Sequence, residues 1–463
     1  MPFPIPVERQ REVVCLPASG HQVVLGTAGS GKTTMAILRA AYLGDPDLPG
    51  NGKVLLITYN KALSGYIRSI SEKRLKNVTV EHYHLFARGY LNFRRLISYN
   101  DIIGNDARRN LIKDAVEQIE GTHKSNTFFD KTIGFFDSEV GWIAKNGISD
   151  LADYLDVKRI GRGDGLVSNF RKIIWQIRAS YLKSRAEMGF RYDWDDISSS
   201  VLSALEADVT KRKYRHIVID EGQDLSPQML RSLAKAVPPE GSITFFGDVA
   251  QQIYGHRMSW RSAGLQPQKV WQFSENYRNS QQIAALGLAI AKMDYYAGTP
   301  DMVAPTTPKA AGPRPTLVSF KKTSDEMQFV ASQAKAMAGT RATAILVRTA
   351  AQKRELKPYL PRNVIDLKDE NATWIDGPNI YLGTYHSAKG LEFETVILPF
   401  MDKDRFPDPS QVEDFGQEEA DANDGRLLYV GVTRAKTALI ITHVGDRTHL
   451  LPPDASLYTV LAK

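Results

Sequence analysis

The chain has 463 residues, of which 43% are hydrophobic and 24% are charged, so it is long enough for several domains and has the composition of a soluble globular protein. A formal net charge of +7 is compatible with a polyanionic partner, but it is also common in proteins that never contact nucleic acid. The single cysteine, Cys15, excludes an intramolecular disulfide and any cysteine-based metal site, and we expect it to be a small core residue.

The N-terminal residues lack the apolar core of a signal peptide. No run of about 18 apolar residues occurs along the sequence, so it predicts no membrane-spanning helix. We therefore expect a cytoplasmic protein that has no membrane partner.

The first motif with a clear chemical meaning is a glycine-rich loop at residues 26–33, with the sequence GTAGSGKT. It lies between an apolar run and a helix-forming segment, the order in which a strand, a turn and a helix present backbone N–H groups to a phosphate. Lys32 is then expected along the β- and γ-phosphates of a nucleoside triphosphate, and the Thr33 hydroxyl is expected on Mg²⁺, which prefers oxygen ligands. The residues predicted to bind the nucleotide in this loop are Gly26, Ala28, Gly29, Ser30, Gly31, Lys32, Thr33 and Thr34.

Two further apolar runs, at residues 54–58 and 78–80, read as buried strands that end in polar and aromatic side chains. From about residue 88 the sequence becomes charged and helix-forming, and apolar residues at helical spacing predict a long helix over residues 169–187. Because this segment shows no strand–helix alternation, we expect a mainly helical domain, residues 89–188, inserted into the first sheet domain.

The strand pattern resumes at residues 216–219 and is followed directly by Asp220 and Glu221. In an NTPase, the first of two such carboxylates can hold Mg²⁺ and the second can accept a proton from the attacking water. A strand at residues 243–246 also ends in polar residues, among them Gln251. An acid after a strand is also an ordinary helix N-cap, but several polar strand ends beside a phosphate loop favour a ligand site.

Six motifs, in this order along the chain, resemble those of the superfamily 1 helicases of the UvrD/Rep/PcrA type: residues 26–33, 220–224, 247–254, 276–278, 384–393 and 428–435. The resemblance implies an α/β fold with two RecA-like P-loop domains built on parallel sheets, plus the mainly helical domain inserted in the first. The first RecA-like domain is then expected over residues 1–88 and 189–275, and the second over residues 276–463.

By the same resemblance, ATP binds in the cleft between the two RecA-like domains. Arg278 and Arg434 would reach the γ-phosphate as arginine fingers, because guanidinium groups stay charged and neutralise the oxygens of the transition state. Gln10 would contact the adenine, Tyr277 would stack on it, and Glu392 would contact the sugar. The catalytic residues implied by the resemblance are Lys32, Glu221, Gln251, Arg278 and Arg434, and the metal ligands are Thr33 and Asp220.

The resemblance further implies an ATP-dependent helicase and translocase that moves 3′ to 5′ on single-stranded DNA and acts on 3′-tailed duplexes. Aromatic side chains suit such a track, since any base can stack on them. Trp260 is also compatible with a core tryptophan, and RNA as the track stays an open alternative. The residues implied along the strand are Tyr59, His84, Tyr254, Trp260, Thr384 and His386.

Between Arg278 and Thr384 the sequence shows only strand–helix alternation, which leaves little room for the large accessory insertion of longer relatives. Residues 305–315 read as a surface loop, and the acidic residues 413–424 as a solvated loop. The compact size keeps a second hypothesis open, an ATP-driven accessory subunit of a nuclease, repair or anti-phage defence complex. A third hypothesis is an NTPase switch that works without DNA, which leaves the aromatic and histidine residues at the strand ends unexplained.

Overall fold

The computed structural model describes most of the chain and shows two parallel sheets flanked by helices. The described residues are 6, 8–27, 29–58, 63–65, 67, 75–98, 100–123, 127–159, 166–248, 260–261, 263–276, 278–296, 308, 310–367 and 378–463. The fold is therefore α/β, with two sheets as the sequence predicts.

The first sheet has six strands in the order β3-β2-β4-β5-β1-β6, and all neighbouring strands are parallel. Its strands are β1 (Gly20–Gly26), β2 (Val54–Thr58), β3 (Val78–His82), β4 (His216–Ile219), β5 (Ser242–Gly247) and β6 (Pro267–Phe273). Because β4, β5 and β1 are neighbours, the segments that follow them leave the sheet at one edge. The phosphate loop, Asp220 and Asp248 consequently lie side by side.

The second sheet has seven strands in the order β13-β7-β12-β11-β8-β10-β9, again all parallel. Its strands are β7 (Thr316–Phe320), β8 (Thr343–Val347), β9 (Ile365–Asp366), β10 (Ile380–Thr384), β11 (Phe393–Leu398), β12 (Ala435–Val444) and β13 (Thr459–Ala462). Every residue of β8 and β10 is buried, as expected for parallel strands that are covered on both faces.

Helices cover both sheets and form the segment between β3 and β4. The described α-helices are Glu8–Val14, Lys32–Gly44, Tyr83–Phe93, Asn105–Glu120, Ile133–Asn146, Leu151–Asp156, Ser168–Glu187, Ile197–Ala207, Pro227–Lys235, Gln281–Ala291, Thr323–Ala338, Ala350–Leu356, Pro409–Phe415 and Gln417–Thr433. Short 3₁₀-helices occur at Thr127–Asp130, Gly222–Asp224, Asp294–Tyr296, Lys357–Tyr359 and Ala455–Leu457. Among the residues that the structure describes, no helix combines the length and apolar character needed to cross a membrane.

The helical insertion has a hydrophobic core of its own, which runs from Ile103 to Tyr181. At its centre the ring of Phe128 stacks on that of Phe170, with the ring centroids 4.3 Å apart. Leu91 belongs instead to the core of the first sheet, so the separate helical core begins after residue 89. The domain boundaries given above stay a prediction.

One continuous apolar cluster joins the two sheets. Met35 and Phe246 belong to the first sheet and its helices, whereas Leu391 and Phe393 belong to the second, and all four lie in this cluster. Since burial of apolar surface is the main force in folding, the cluster holds the two sheets in contact beside the phosphate loop.

Two expectations from the sequence are wrong. The acidic residues 413–424 are not a solvated loop, because helices Pro409–Phe415 and Gln417–Thr433 contain most of them. Asp424 is fully buried, and Arg348 Nε donates to its carboxylate at 2.7 Å. Cys15 is exposed rather than part of the core, since Val13 is the residue of that turn that faces inward.

Candidate active site

The phosphate loop follows β1 and leads into the helix Lys32–Gly44. Gly29 and Gly31 both have a φ of 82°, a left-handed conformation that glycine adopts without steric cost. A Cβ at Gly29 would overlap the side-chain amide of Asn276, so only glycine fits this approach. Gln10 Nε2 donates to the carbonyl oxygen of Ser30 at 3.3 Å. The loop is thereby held as a turn at a helix N-terminus, the arrangement that suits a phosphate.

Lys32 is the cation of this loop and is only 7% exposed. Its Nζ donates to the carbonyl oxygens of Gly26 and Thr27, both at 2.8 Å. Asp248, at the end of β5, has its Oδ2 atom 3.5 Å from the same Nζ. The ammonium group therefore lies inside the loop, next to where a bound phosphate chain would run.

Asp220 follows β4 and is completely buried, and neither of its carboxylate oxygens has a hydrogen-bond partner among the described residues. Burial, followed by the adjacent Glu221, raises its pKa to about 7, whereas the Thr33 hydroxyl and the Lys32 ammonium act in the opposite direction. An unpaired buried carboxylate beside a hydroxyl is a donor set that fits Mg²⁺.

Glu221 has a left-handed backbone, with a φ of 52°, which is uncommon for a residue other than glycine. The side-chain amide of Gln223 donates to its carboxylate. Burial alone would raise the pKa of Glu221, but the charges of Lys389, Lys32 and Arg434 outweigh it, so the net shift is downward. The carboxylate is therefore ionised at neutral pH and able to accept a proton.

Two arginines of the second sheet domain lie at this site, since the charge of Arg434 acts on Glu221 and Arg278 lies against Gly29 of the phosphate loop. Arg278 forms an ion pair with Glu392, whose other carboxylate oxygen lies 3.6 Å from Lys436 Nζ. Arg434 is 1% exposed and donates from Nη1 to the carbonyl oxygen of Leu391 at 3.3 Å. Burial and then the charge of Arg278 lower the pKa of Arg434 to about 10, so it remains charged at neutral pH.

A buried ion pair crosses from one sheet domain to the other. Lys389, in the loop between β10 and β11, pairs with Asp224 on the turn after β4, and both side chains are at most 4% exposed. Burial raises the pKa of Asp224 to about 7 despite the neighbouring ammonium group. The same ammonium is the strongest of the charges that lower the pKa of Glu221. The position of Lys389 in the second domain thus affects the pKa of Glu221 in the first domain.

Three of the residues predicted along a nucleic-acid strand, His84, Thr384 and His386, lie near strand ends of the two sheets. His84 lies in the first turn of the helix that follows β3. Its ring contacts the ring of Trp194 edge to face, with the ring centroids 5.1 Å apart. Thr384 ends β10 and is bound into a turn, because its backbone N–H donates to Ser387 Oγ at 2.8 Å. His386, in the same turn, is half-buried. The DNA-binding role of these side chains stays a prediction.

Trp260 is half-buried and packs against the core of the first sheet. Its ring meets Phe245 at a centroid distance of 5.0 Å and an interplanar angle of 69°. This contact favours the core role that the sequence left open, while a stacking role stays a prediction. Five predicted site residues lie outside the described part of the chain: Ala28, Tyr59, Gln251, Tyr254 and Tyr277.

The sequence reasoning missed three residues that the structure brings to the site. Trp194 contacts His84. The sequence feature that could have indicated Trp194 is its position as an aromatic residue among acidic residues just after the helical insertion. Lys389 lies within a motif that the sequence already singled out, but Asp224, its partner, is 165 residues away. Such a pairing is invisible without the fold.

Comparisons with known proteins identify the family. The model of the UvrD/REP helicase N-terminal domain matches residues 7–270, more than half of the chain. The chain belongs to the UvrD/REP helicase family. The model of the UvrD-like helicase C-terminal domain matches residues 363–445, so the match extends into the second sheet.

Relatives in this UvrD/REP family differ in length from the chain. A probable DNA helicase from Mycoplasma pneumoniae is 25% identical over 94% of this chain and 83% of its own. A probable DNA helicase II homolog from Rickettsia felis is 30% identical over 22% of this chain, and the match spans only 15% of that relative. The crystal structure of the C-terminal domain of a possible DNA helicase from Lactobacillus plantarum is 24% identical, covers 40% of this chain and 98% of its own, and has a TM-score of 0.29.

Proposed function

We propose that the chain is an ATP-dependent DNA helicase and translocase that moves 3′ to 5′ along single-stranded DNA. The observation that carries the proposal is that two arginines of one sheet domain reach the site of the other: the charge of Arg434 acts on Glu221, and Arg278 lies against Gly29 of the phosphate loop. Because the charges required for hydrolysis come from two domains, their approach can be coupled to movement along a strand. Membership of the UvrD/REP family supports this function.

In this proposal the phosphate loop binds the triphosphate of ATP. Lys32 exchanges its two loop carbonyls for phosphate oxygens, and Glu221 accepts the proton of the attacking water. Arg278 and Arg434 neutralise the charge that spreads over the γ-phosphate oxygens. Thr33 and Asp220 would hold Mg²⁺, which supplies further charge neutralisation at the phosphates.

Recognition of the nucleoside is assigned to residues around the loop. Gln10 and Tyr277 are proposed at the base and Glu392 at the sugar. Gln251 is proposed as a further catalytic residue at the triphosphate. The ion pair between Glu392 and Arg278 supports the assignment of Glu392, because it places the carboxylate directly beside the proposed arginine finger.

The proposed substrate is single-stranded DNA, alone or as the 3′ tail of a duplex. His84 of the first domain and Thr384 and His386 of the second lie at the carboxyl ends of parallel strands, where open sheets bind ligands. Since these positions belong to two domains, closing and opening of the cleft would shift one row of contacts relative to the other.

A second candidate function is an accessory subunit that drives a nuclease, repair or anti-phage defence protein. The described residues between Arg278 and Thr384 form only elements of the second sheet domain and its flanking helices. Without a large accessory domain in that part, translocation is proposed to serve a partner, and unwinding would be incidental.

The two functions separate in a strand-displacement assay. Duplexes with a 3′ tail, a 5′ tail or blunt ends are incubated with the protein and ATP, and released strand is measured beside ATP hydrolysis. A 3′ to 5′ helicase releases strand from the 3′-tailed duplex only. DNA-stimulated hydrolysis without release supports the accessory function, whereas release from the 5′-tailed duplex alone contradicts the proposed direction.

A further inference from the structure

The helix Ile133–Asn146, which we name the bridging helix, contacts one sheet domain at each end. Its C-terminal end lies on the first sheet domain, where Arg231 Nη1 donates to the carbonyl oxygen of Asn146 at 2.8 Å. Gly147 closes the helix with a φ of 70°, and a Cβ there would lie 2.6 Å from Cδ of Gln228. Gln228 also accepts a hydrogen bond from Arg231 Nη1 at 2.8 Å, so this end of the helix is closely packed and hydrogen-bonded to the first sheet domain.

The N-terminal end of the bridging helix meets the second sheet domain. Thr132 caps the helix, since its Oγ1 accepts from the backbone N–H of Phe135 at 3.2 Å. The same hydroxyl donates to the carboxylate of Asp414. A Cβ built on Gly134 would lie 2.6 Å from Cγ of Asp414, so glycine is required for this approach. A negative charge at a helix N-terminus is favoured by the helix dipole.

The helix that carries Asp414 follows a segment that packs near the predicted strand contacts of the second domain. Asp414 belongs to the helix Pro409–Phe415, which begins shortly after Phe406. The Phe406 ring packs edge to face on Tyr385, with a centroid distance of 6.0 Å. Tyr385 directly follows Thr384, so the segment that leads into this helix packs beside the end of β10.

The C-terminal half of the bridging helix contacts Asp195, next to the predicted strand contacts of the first domain. Lys145 Nζ is 3.0 Å from a carboxylate oxygen of Asp195, and Gly141 lies against the same side chain. Asp195 follows Trp194, the residue whose ring meets His84. The 14-residue helix is about 21 Å long at 1.5 Å per residue, and its two ends contact different sheet domains.

We propose that Thr132 and Asp414 form a releasable latch, and that the closed latch makes the bridging helix enclose a nucleic-acid strand between the two sheet domains. This inference rests on the proposed function, because it takes single-stranded DNA as the enclosed ligand. One hydrogen bond between half-buried groups breaks readily in water, so the latch can open for strand entry and close for retention.

The test converts the latch into a covalent bond. Gly134→Cys and Asp414→Cys are introduced together in a Cys15→Ser background, since the built Cβ at residue 134 comes close enough to residue 414 for disulfide geometry. The protein is oxidised either before or after it binds circular single-stranded DNA at low salt. The complex is then washed with about 1 M salt, which screens ionic contacts.

Oxidation after binding is expected to leave a salt-resistant complex, at least about tenfold more than with reduced protein, because a closed ring cannot leave a circle held only by screened contacts. Cutting the circle or adding a thiol should release it. Oxidation before binding should give no salt-resistant complex. Enclosure would be overturned if oxidation before binding and oxidation after binding gave equally salt-resistant complexes. It would also be overturned if the disulfide formed but neither order of oxidation gave a salt-resistant complex.

A matched pair separates the latch from a general effect of cross-linking. Lys403→Cys with Asp446→Cys joins two exposed residues within the second sheet domain whose backbones are adjacent, since the Lys403 N–H donates to the Asp446 carbonyl oxygen at 3.1 Å. This disulfide should form and give no salt resistance. If it forms and the latch disulfide does not, the latch geometry is wrong. If the reduced protein does not bind the circle at low salt, the proposed nucleic-acid function fails, and enclosure fails with it.

Discussion

Asp220 and Glu221 are adjacent, buried carboxylates whose pKa values shift in opposite directions. Burial and the charge of Glu221 raise the pKa of Asp220, while Lys389, Lys32 and Arg434 bring the pKa of Glu221 below its ordinary range despite burial. Environments that separate the pKa values of two neighbouring acids commonly separate their roles. Asp220 fits a cation ligand and Glu221 fits a base.

Trp260 tests the proposed strand contacts at the level of one residue. We expect Trp260→Ala to weaken binding of single-stranded DNA by about 1–3 kcal/mol, the usual contribution of one base stacked on an aromatic ring. Fluorescence anisotropy of a labelled oligonucleotide measures the affinity, and thermal unfolding reports the loss of the Phe245 contact. Trp271→Ala is the control, because it also removes a partly buried tryptophan. Unchanged affinity in folded Trp260→Ala protein would assign the ring to the core alone.

The chemistry of single residues was predictable from sequence where it is local. The phosphate loop, Lys32 and the two acids after β4 are recognisable because the backbone turn and the functional groups lie within a few residues of each other. Cys15 was misplaced, since composition does not show which side of a short helix faces the core. The pairing of Asp224 with Lys389 depends on the contact between two domains and has no local signal.

At the scale of elements, the strands were the most predictable part of the fold. Parallel strands buried on both faces read as short apolar runs, and β2 and β4 have the bounds that the sequence indicates. The acidic residues 413–424 were misjudged because charge usually indicates a solvated segment. Here Arg348, after β8, pairs with Asp424 and allows the helix Gln417–Thr433 to bury it.

Strand β4 carries a buried histidine that makes folding sensitive to acid. His216 Nδ1 lies 2.8 Å from Ser242 Oγ, and Nε2 lies 2.8 Å from the carbonyl oxygen of Gly50. Burial lowers its pKa from 6.5 to about 4, so the ring stays neutral in the folded protein while the unfolded chain takes up a proton. Its contribution to stability is therefore complete above pH 6.5 and is lost as the pH falls toward about 4.

We expect His216→Asn to reduce the dependence of the melting temperature on pH. The variant should be less stable than the parent at about pH 7.5, because it loses a buried contact, but should lose less on acidification to about pH 5. Differential scanning fluorimetry at both pH values measures the two differences. An equal loss in parent and variant would show that the ring protonates without unfolding.

For the whole molecule, the two sheet domains are joined by charge as well as by the apolar cluster. Lys389 pairs with Asp224 across the cleft and acts on Glu221 at the same time. A buried ion pair adds little net stability, but loss of one partner leaves an uncompensated charge. The contact between the two domains and the ionisation of the proposed base are consequently linked through one ammonium group.

Lys389→Met should therefore slow ATP hydrolysis more than it weakens ATP binding. We expect kcat to fall at least about tenfold, because the base loses its nearest cation, while KM changes by less than about threefold. Steady-state kinetics with saturating DNA measure both constants. Lys353→Met, which removes a partner of Asp366 within the second sheet domain, is the control and should leave kcat unchanged. A rise in KM at constant kcat would assign Lys389 to nucleotide binding.

The central claim is that both sheet domains supply one ATPase site that responds to a DNA strand. It is tested most directly by steady-state ATP hydrolysis of the purified protein with and without single-stranded DNA, with Lys32→Ala measured in parallel. We expect strong stimulation by DNA and no hydrolysis by the variant, whose fold is checked by thermal unfolding. Hydrolysis that is indifferent to DNA, or that survives in Lys32→Ala, would contradict the claim.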